Sequence, residues 1–320
     1  MKKIYSQFFL LFILASLLSC KHASTDISSV KLIKVLAWNI WHAGHSKAYP
    51  KIGCEETIRI LKHSEADIIL IVETYGAAST IADSLEFYHR LLSNNLSIYS
   101  RYPIVETYTF PDSISTFNFG GVKINIDGAP IRIYNTWLHY LPDLRLTPTE
   151  KSEKEILAWD NEGTRDDEIR VILSALSPSL NEANSIPVIM GGDFNSHSHL
   201  DWTAETRNLY NHGDAVVNWT VSKMIEEAGF KDSFREIHPD PVENIGATWI
   251  YEIQENEKEE ELPSRLDRID YIYYKGEKLH VKDAETYNTK LGEQLTFKGK
   301  DFLFASDHGF VMTTFEIREK

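Results

Sequence analysis

Ile189-Met190-Gly191-Gly192-Asp193-Phe194-Asn195-Ser196 is an apolar strand that runs into a glycine pair and then into two oxygen-bearing side chains. A strand that stops at Gly-Gly and gives way to a carboxylate and an amide describes an active-site loop at a strand end. An ionised Asp193 can accept a proton from water while Asn195 donates to a developing oxyanion, a division of labour that hydrolysis requires. Two residues apart, they share a face if the segment is extended. The competing structural reading is an Asx-turn after the glycines.

Further along, Ser306-Asp307-His308-Gly309 sets a carboxylate beside an imidazole after another apolar-flanked segment. Asp270, in Arg268-Ile269-Asp270-Tyr271, has apolar and aromatic neighbours, and a partly buried carboxylate of this kind commonly orients an imidazole, here His308. Asp307 is then free to hold a metal or its waters. Asn39 closes Val35-Leu36-Ala37-Trp38 and Glu73 closes Ile68–Val72, so both emerge at one sheet edge if those strands are parallel. A carboxylate that ends a buried apolar strand needs a partner for its charge. A hard cation such as Mg²⁺, which takes few carboxylates and keeps several waters, provides one.

Other apolar runs read as strands at Leu32–Ala37, Val122–Ile126, Ile131–Thr136, Pro187–Met190, Ile269–Tyr274 and Phe310–Phe315. Helical spacing appears over Cys54–Ser64, Glu168–Leu176 and Val221–Ala228, the last stopped by Gly229. Mixed with a hairpin over 122–136 around Asp127-Gly128, these elements predict an α/β protein with mixed rather than purely parallel sheets. There is no internal repeat. Two polar insertions interrupt the pattern: Pro142–Asp167, read as a long loop with a short helix, and Glu252–Glu261, read as a solvated hairpin tip.

Taken in order, Trp38-Asn39-Ile40, Val72-Glu73, Ser100-Arg101-Tyr102-Pro103, Asn135-Thr136, Gly192-Asp193-Phe194-Asn195, Arg268-Ile269-Asp270-Tyr271 and Ser306-Asp307-His308 resemble the endonuclease/exonuclease/phosphatase superfamily, the deoxyribonuclease-I-like fold. The resemblance runs from about residue 32 to 316. It implies a four-layer α/β sandwich, two central mixed β-sheets flanked by helices, and Mg²⁺- or Mn²⁺-dependent cleavage of a phosphoester by activated water. By position it makes Asn39, Glu73 and Asp307 the metal side, with Glu73 the main ligand; a two-metal site would need more ligands than these, so one metal is expected in the resting state. Asp193 becomes the residue that activates or positions water, Asn195 a phosphate contact, His308 an imidazole at the scissile phosphate and Asp270 its orienting partner; the base is either Asp193 or His308. One departure stands out. Many members read Asn-Thr-His-Leu where this chain has Asn135-Thr136-Trp137-Leu138-His139. Either His139, placed on the face of Trp137 by strand periodicity, does the work of the displaced imidazole, or that role is lost.

The chain's 320 residues and 42% hydrophobic content suffice for a large core. A net charge of -14 argues against a non-specific embrace of polyanions, which needs Lys and Arg to neutralise phosphates. Lys2 and Lys3 before the apolar run Phe8–Leu18 read as a signal peptide over residues 1–19, too short for a mature membrane span. Leu17-Leu18-Ser19-Cys20 resembles a bacterial lipobox, which would make Cys20 the acylated first residue and 20–30 a tether to the membrane, ahead of a catalytic domain at 31–320 in a monomer exported to the cell envelope. Only Cys54 would then remain, so no disulfide framework is available. Asn39–Gly44, Ser198–Trp202, Phe230–Arg235 and His238–Pro241 look like an exported bacterial branch of the superfamily. His42, His197 and His199 are candidates for a second metal or the substrate, against a strut reading. Trp202 and Trp249 are candidates for stacking, against core packing. The expected substrate is a small organic phosphate or a phospholipid head group. An envelope nuclease acting on nucleic acid is the alternative, and a non-catalytic binding module comes third.

Overall fold

Along Lys31–Asn39, Ile33, Val35 and Ala37 point to one side and Leu36 and Trp38 to the other, and all five are fully buried. A strand apolar on both faces must be covered on both, and that requirement generates four layers. The computed structural model describes residues 31–45, 53–251 and 265–318. In chain order the elements begin with β1 (Lys31–Asn39), α1 (Gly53–Ser64), β2 (Ile68–Val72), α2 (Ala78–Leu85), β3 (Tyr88–Leu91), β4 (Ser97–Ser100), β5 (Ile104–Thr107), β6 (Phe119–Ile126) and β7 (Ala129–Trp137). Next come α3 (Glu153–Asp160), α4 (Arg165–Asn181), β8 (Val188–Asp193), α5 (Thr220–Glu227), β9 (Lys231–Asp232), α6 (Ser233–Ile237), β10 (Trp249–Tyr251), β11 (Arg265–Asp267) and β12 (Asp270–Lys275). The last are β13 (Leu279–Tyr287), β14 (Gln294–Phe297), β15 (Lys300–Leu303) and β16 (Phe310–Ile317).

Among the described residues, two six-stranded sheets form, ordered β13-β16-β1-β2-β4-β3 and β5-β6-β7-β8-β12-β9. Each contains one parallel pair, β1/β2 and β7/β8, in otherwise antiparallel surroundings. A parallel pair needs a crossover; α1 supplies the first, and α3 with α4 the second. Ile33, Val35, Leu70, Val122, Ile133, Ile189 and Phe315 fill the space between the sheets. Trp38, Ile69 and Ile71 meet Ile58 and Leu61 of α1 on the outer side of the first sheet, while Tyr134 and Met190 meet Ile169, Ile172 and Ile225 of α4 and α5 on the second. Fully burying each such aliphatic side chain contributes about 1.5–3 kcal/mol.

This is the expected α/β sandwich of two mixed sheets between helices, and the 122–136 hairpin is β6–β7. Several elements differ from expectation at their ends. The helix predicted at Glu168–Leu176 spans Arg165–Asn181 and carries Pro178 within it. The strand predicted at Pro187–Met190 continues through both glycines to Asp193. Gly191 and Gly192 are strand residues because the neighbours crowd them: a Cβ on Gly191 would lie 2.8 Å from Leu70 Cδ1 of the facing sheet, and one on Gly192, at φ +132°, 2.1 Å from the Thr136 carbonyl. Residues 1–30, with the expected signal peptide, Cys20 and tether, and the glutamate run 252–261, lie outside the described residues. No helix among the described residues is long and apolar enough to cross a membrane.

Candidate active site

Both parallel pairs deliver chemistry at their C-terminal ends. Asn39 is the last residue of β1, in register with Val72, so Glu73 follows immediately alongside. Trp137 is the last residue of β7, in register with Asp193, the last of β8. Asp193 in turn pairs with Asp270, the first residue of the antiparallel β12. Asn39, Asp193 and Asp270 are each 1% exposed. Buried polar groups persist only where partners satisfy them.

Those partners join the two sheets. The Asn39 amide nitrogen donates to Asp193 Oδ2 (3.1 Å) and Glu73 Oε1 (3.3 Å), while its carbonyl accepts from the Trp41 N–H (2.9 Å). The His42 N–H donates to Glu73 Oε2 (2.8 Å). Asn39 therefore turns a donor, not its carbonyl, toward the two carboxylates, and the expected ligand role for it requires the amide to rotate by half a turn. Asn195 also departs from expectation. Its φ of 45° is left-handed, and its N–H donates to Asp193 Oδ1 (2.9 Å), so the segment is an Asx-turn rather than extended. The turn itself brings the Asn195 amide to Asp193 Oδ2 (3.1 Å) and to the Leu138 carbonyl (2.9 Å).

His308 Nδ1 lies 2.9 Å from Asp270 Oδ2, and its Nε2 lies 4.0 Å from Asp193 Oδ2. The second distance is too long for a hydrogen bond, yet a single substrate or water oxygen fits between the two groups. Burial would lower the His308 pKa, but Asp270 and Asp193 raise it well above its ordinary value. Burial pushes Asp193 up to about 7 against the pull of His308. The bond from His308 Nδ1 to Asp270 favours the imidazolium form of His308. Thr248 Oγ1 accepts from the N–H groups of Ile269 and Asp270 (both 3.1 Å), and Ser306 Oγ ties the His308 N–H (3.0 Å) to the Asn39 carbonyl (2.7 Å).

Asp307 Oδ1 is buried without a hydrogen-bond partner. Burial raises its pKa; His308 pulls it down and Glu73 pushes it up. Asp307, with its orphaned oxygen, and Glu73, which is close enough to push its pKa up, offer the oxygen ligands that a hard divalent cation takes. Separately, ligand atoms of Asp193, Asp270 and His308 all lie within 4.8 Å of one another, but there the short Nδ1–Asp270 contact already commits two of the three to each other.

The Endonuclease/Exonuclease/phosphatase family matches residues 36–308. The chain belongs to that family. An uncharacterized protein from Caenorhabditis elegans, F14F9.5, is 27% identical over 322 residues, covering 93% of this chain and 96% of its own length. Among solved structures, the fold is similar to TDP2 from C. elegans (TM-score 0.58, 16% identity, 89% of this chain and 74% of that one). It is also similar to D. rerio TDP2 complexed with a single-strand DNA product (TM-score 0.56, 14% identity, 89% and 99%). With the family comes the reaction class, hydrolysis of phosphate esters.

In this hydrolase the remaining candidates separate cleanly. His197 is buried between the rings of Trp202 and Trp219, with Nδ1 3.3 Å from Asp267, and His199 Nδ1 lies 2.8 Å from Ser222 Oγ; both are struts. Trp202 is core, whereas the Trp249 ring stacks on His308 at 6.2 Å. His139 does not continue the strand, since β7 ends at Trp137. Its Nδ1 accepts from the Leu141 N–H (3.2 Å), and its ring stacks on Tyr140 and meets the Trp137 ring at 6.2 Å, so that nitrogen is engaged with the backbone.

Sequence reasoning missed Asn95. Glu73 sits at φ 60°, a costly conformation for a non-glycine residue. Asn95 holds it there: its Oδ1 accepts from the Glu73 N–H (3.0 Å) and its Nδ2 donates to the Phe117 carbonyl (2.9 Å). Nothing in Ser93-Asn94-Asn95-Leu96 distinguishes this residue from an ordinary turn asparagine. Asn95→Ala is expected to weaken Mn²⁺ affinity about 10- to 100-fold, the usual cost of losing a group that orients a ligand. Calorimetric titration checks it; unchanged affinity would remove Asn95 from the site.

Proposed function

We propose that the protein is a divalent-metal-dependent phosphodiesterase or phosphomonoesterase that acts in the cell envelope on a small organic phosphate. The observation that supports this best is the alignment of Asp193 between Asn39 and His308, with Glu73 and the orphaned Asp307 oxygen alongside. Glu73 and Asp307 hold Mg²⁺ or Mn²⁺, with Asn39 next to them. When bound, the ion supplies Lewis-acid polarisation of a phosphoryl oxygen. Asp193 receives a proton from the attacking water, its raised pKa suiting a base near neutral pH. Asn195 donates to the phosphoryl group from the Asx-turn. His308, kept cationic and oriented by Asp270, donates from Nε2 to the oxygen on which charge develops. His139 has no part in this scheme. Export and attachment through Cys20 rest on the Lys2–Cys20 pattern.

The test is hydrolysis of nitrophenyl phosphate mono- and diesters by residues 21–320 in Mg²⁺, Mn²⁺ or EDTA. Turnover should appear with metal and vanish with EDTA; turnover indifferent to EDTA would sink the proposal. A second reading, an envelope nuclease, gains support from the fold's likeness to a TDP2 seen with a single-strand DNA product. Cleavage of long DNA that falls steeply with salt would favour it, because small-ester hydrolysis lacks that dependence.

A further inference from the structure

Trp137 occupies an unusual place for a large apolar side chain. Two residues earlier on the same face of β7, Asn135 Nδ2 donates to the Ile71 and Ser97 carbonyls (2.8 and 3.1 Å) of the opposite sheet. Strand alternation therefore turns Trp137 toward the cleft between the sheets, and the parallel register sets it beside Asp193. It is half-buried, not part of the core. Phe117 braces it edge-on at 5.6 Å, and Tyr140, 53% exposed, lies at 6.3 Å. The Asn195 amide donates to the next residue's carbonyl, at Leu138, so the catalytic turn and this ring share one anchor.

The hydrogen bonds of the Asn39, Glu73, Asp193, Asn195 and His308 side chains tie these residues to one another, to Asp270 and to backbone groups. Beyond the phosphate, the braced, half-exposed indole offers a flat face to a flat ligand.

We propose that Trp137 is the specificity-determining platform of the site, and that the substrate is a phosphate ester whose organic part carries a planar ring, such as a nucleobase or aryl group. This rests on the phosphoesterase reading above. The platform adds affinity without taking part in the proton transfers at Asp193 and His308.

The test compares two diesters with non-aromatic leaving groups, thymidine 5′-(methyl phosphate) and methyl 2-aminoethyl phosphate, with products followed by phosphorus NMR. Trp137→Ala should raise KM for the thymidine ester about 10- to 100-fold, leave kcat within a few-fold, and leave the ring-free ester unaffected. Trp137→Phe should restore most of the loss. The unaffected ester also shows that the variant is folded. An equal loss on both esters, or on neither, overturns the proposal. If the unaltered protein cleaves neither diester, the phosphodiesterase form of the reading fails, the nitrophenyl monoester decides the phosphomonoesterase form, and calorimetric binding of the thymidine ester decides the platform alone: binding lost in Trp137→Ala supports it, and binding that is absent or unchanged ends it.

Discussion

His308→Ala and Asp193→Asn are each expected to lower kcat about 10²- to 10⁴-fold, and the double variant to lose little more than either single one. The reasoning is geometric. His308 Nε2 and Asp193 Oδ2 face one another at 4.0 Å across the position where a reacting oxygen fits, so each acts only if the other is in place. Asparagine at 193 keeps the shape but cannot accept the proton, and alanine at 308 removes the donor that Asp270 Oδ2 orients at 2.9 Å. His308→Ala also strands Asp270, whose Oδ1 is already without a partner, so circular dichroism must accompany the kinetics. Losses that multiply in the double variant would show that the two groups serve independent steps, and the scheme would fall.

Why the site was so legible while parts of the fold were not follows from where each residue sits. Asn39, Glu73, Asp193 and Asp270 end or begin strands buried on both faces, where a lone polar residue contrasts with its apolar run. Strands β3 and β5 are exposed at sheet edges, and neither Tyr88–Leu91 nor Ile104–Thr107 carries an alternating pattern to betray it. Asn195 was placed correctly beside Asp193 for the wrong reason: its left-handed backbone and the Asx-turn, not strand alternation, bring the two together. Asn95 and Thr248 act through a side-chain carbonyl and a hydroxyl on distant backbone N–H groups, and no local spacing encodes such contacts. Trp249 reaches His308 through an isolated bridge between residues 59 positions apart in the chain.

Asp201→Ala is expected to destabilise the fold by about 3–5 kcal/mol, read as a fall in the urea midpoint at constant slope. Asp201 is 2% exposed and accepts from Arg235 Nε (2.7 Å), Arg268 Nε (3.0 Å) and Arg268 Nη2 (2.9 Å). Removing it leaves two buried guanidinium groups facing an apolar methyl, although Arg268 retains Asp232 at 2.6 Å. Burial alone would raise the Asp201 pKa, but Arg268 and Arg235 overcome it and hold the carboxyl below its ordinary value. The contribution is therefore complete above the ordinary carboxylate range and is lost as pH falls through the depressed value. Asp160 shows what one arginine achieves: with Arg165 as its ion-pair partner, burial still wins and its pKa is raised. Asp166, pushed up to about 6 by burial and by Asp160, acts in the opposite sense, so its protonation adds stability as pH drops through that value. The gap in midpoint between Asp201→Ala and the unaltered protein should hold from neutral pH down through the range where Asp166 titrates, and close only in stronger acid. A gap that closes near pH 6 would assign the stabilisation to a different carboxylate. Because Arg268 lies two residues before Asp270, the same substitution should also loosen the orientation of His308, lowering kcat while leaving Mn²⁺ affinity at Glu73 and Asp307 unchanged.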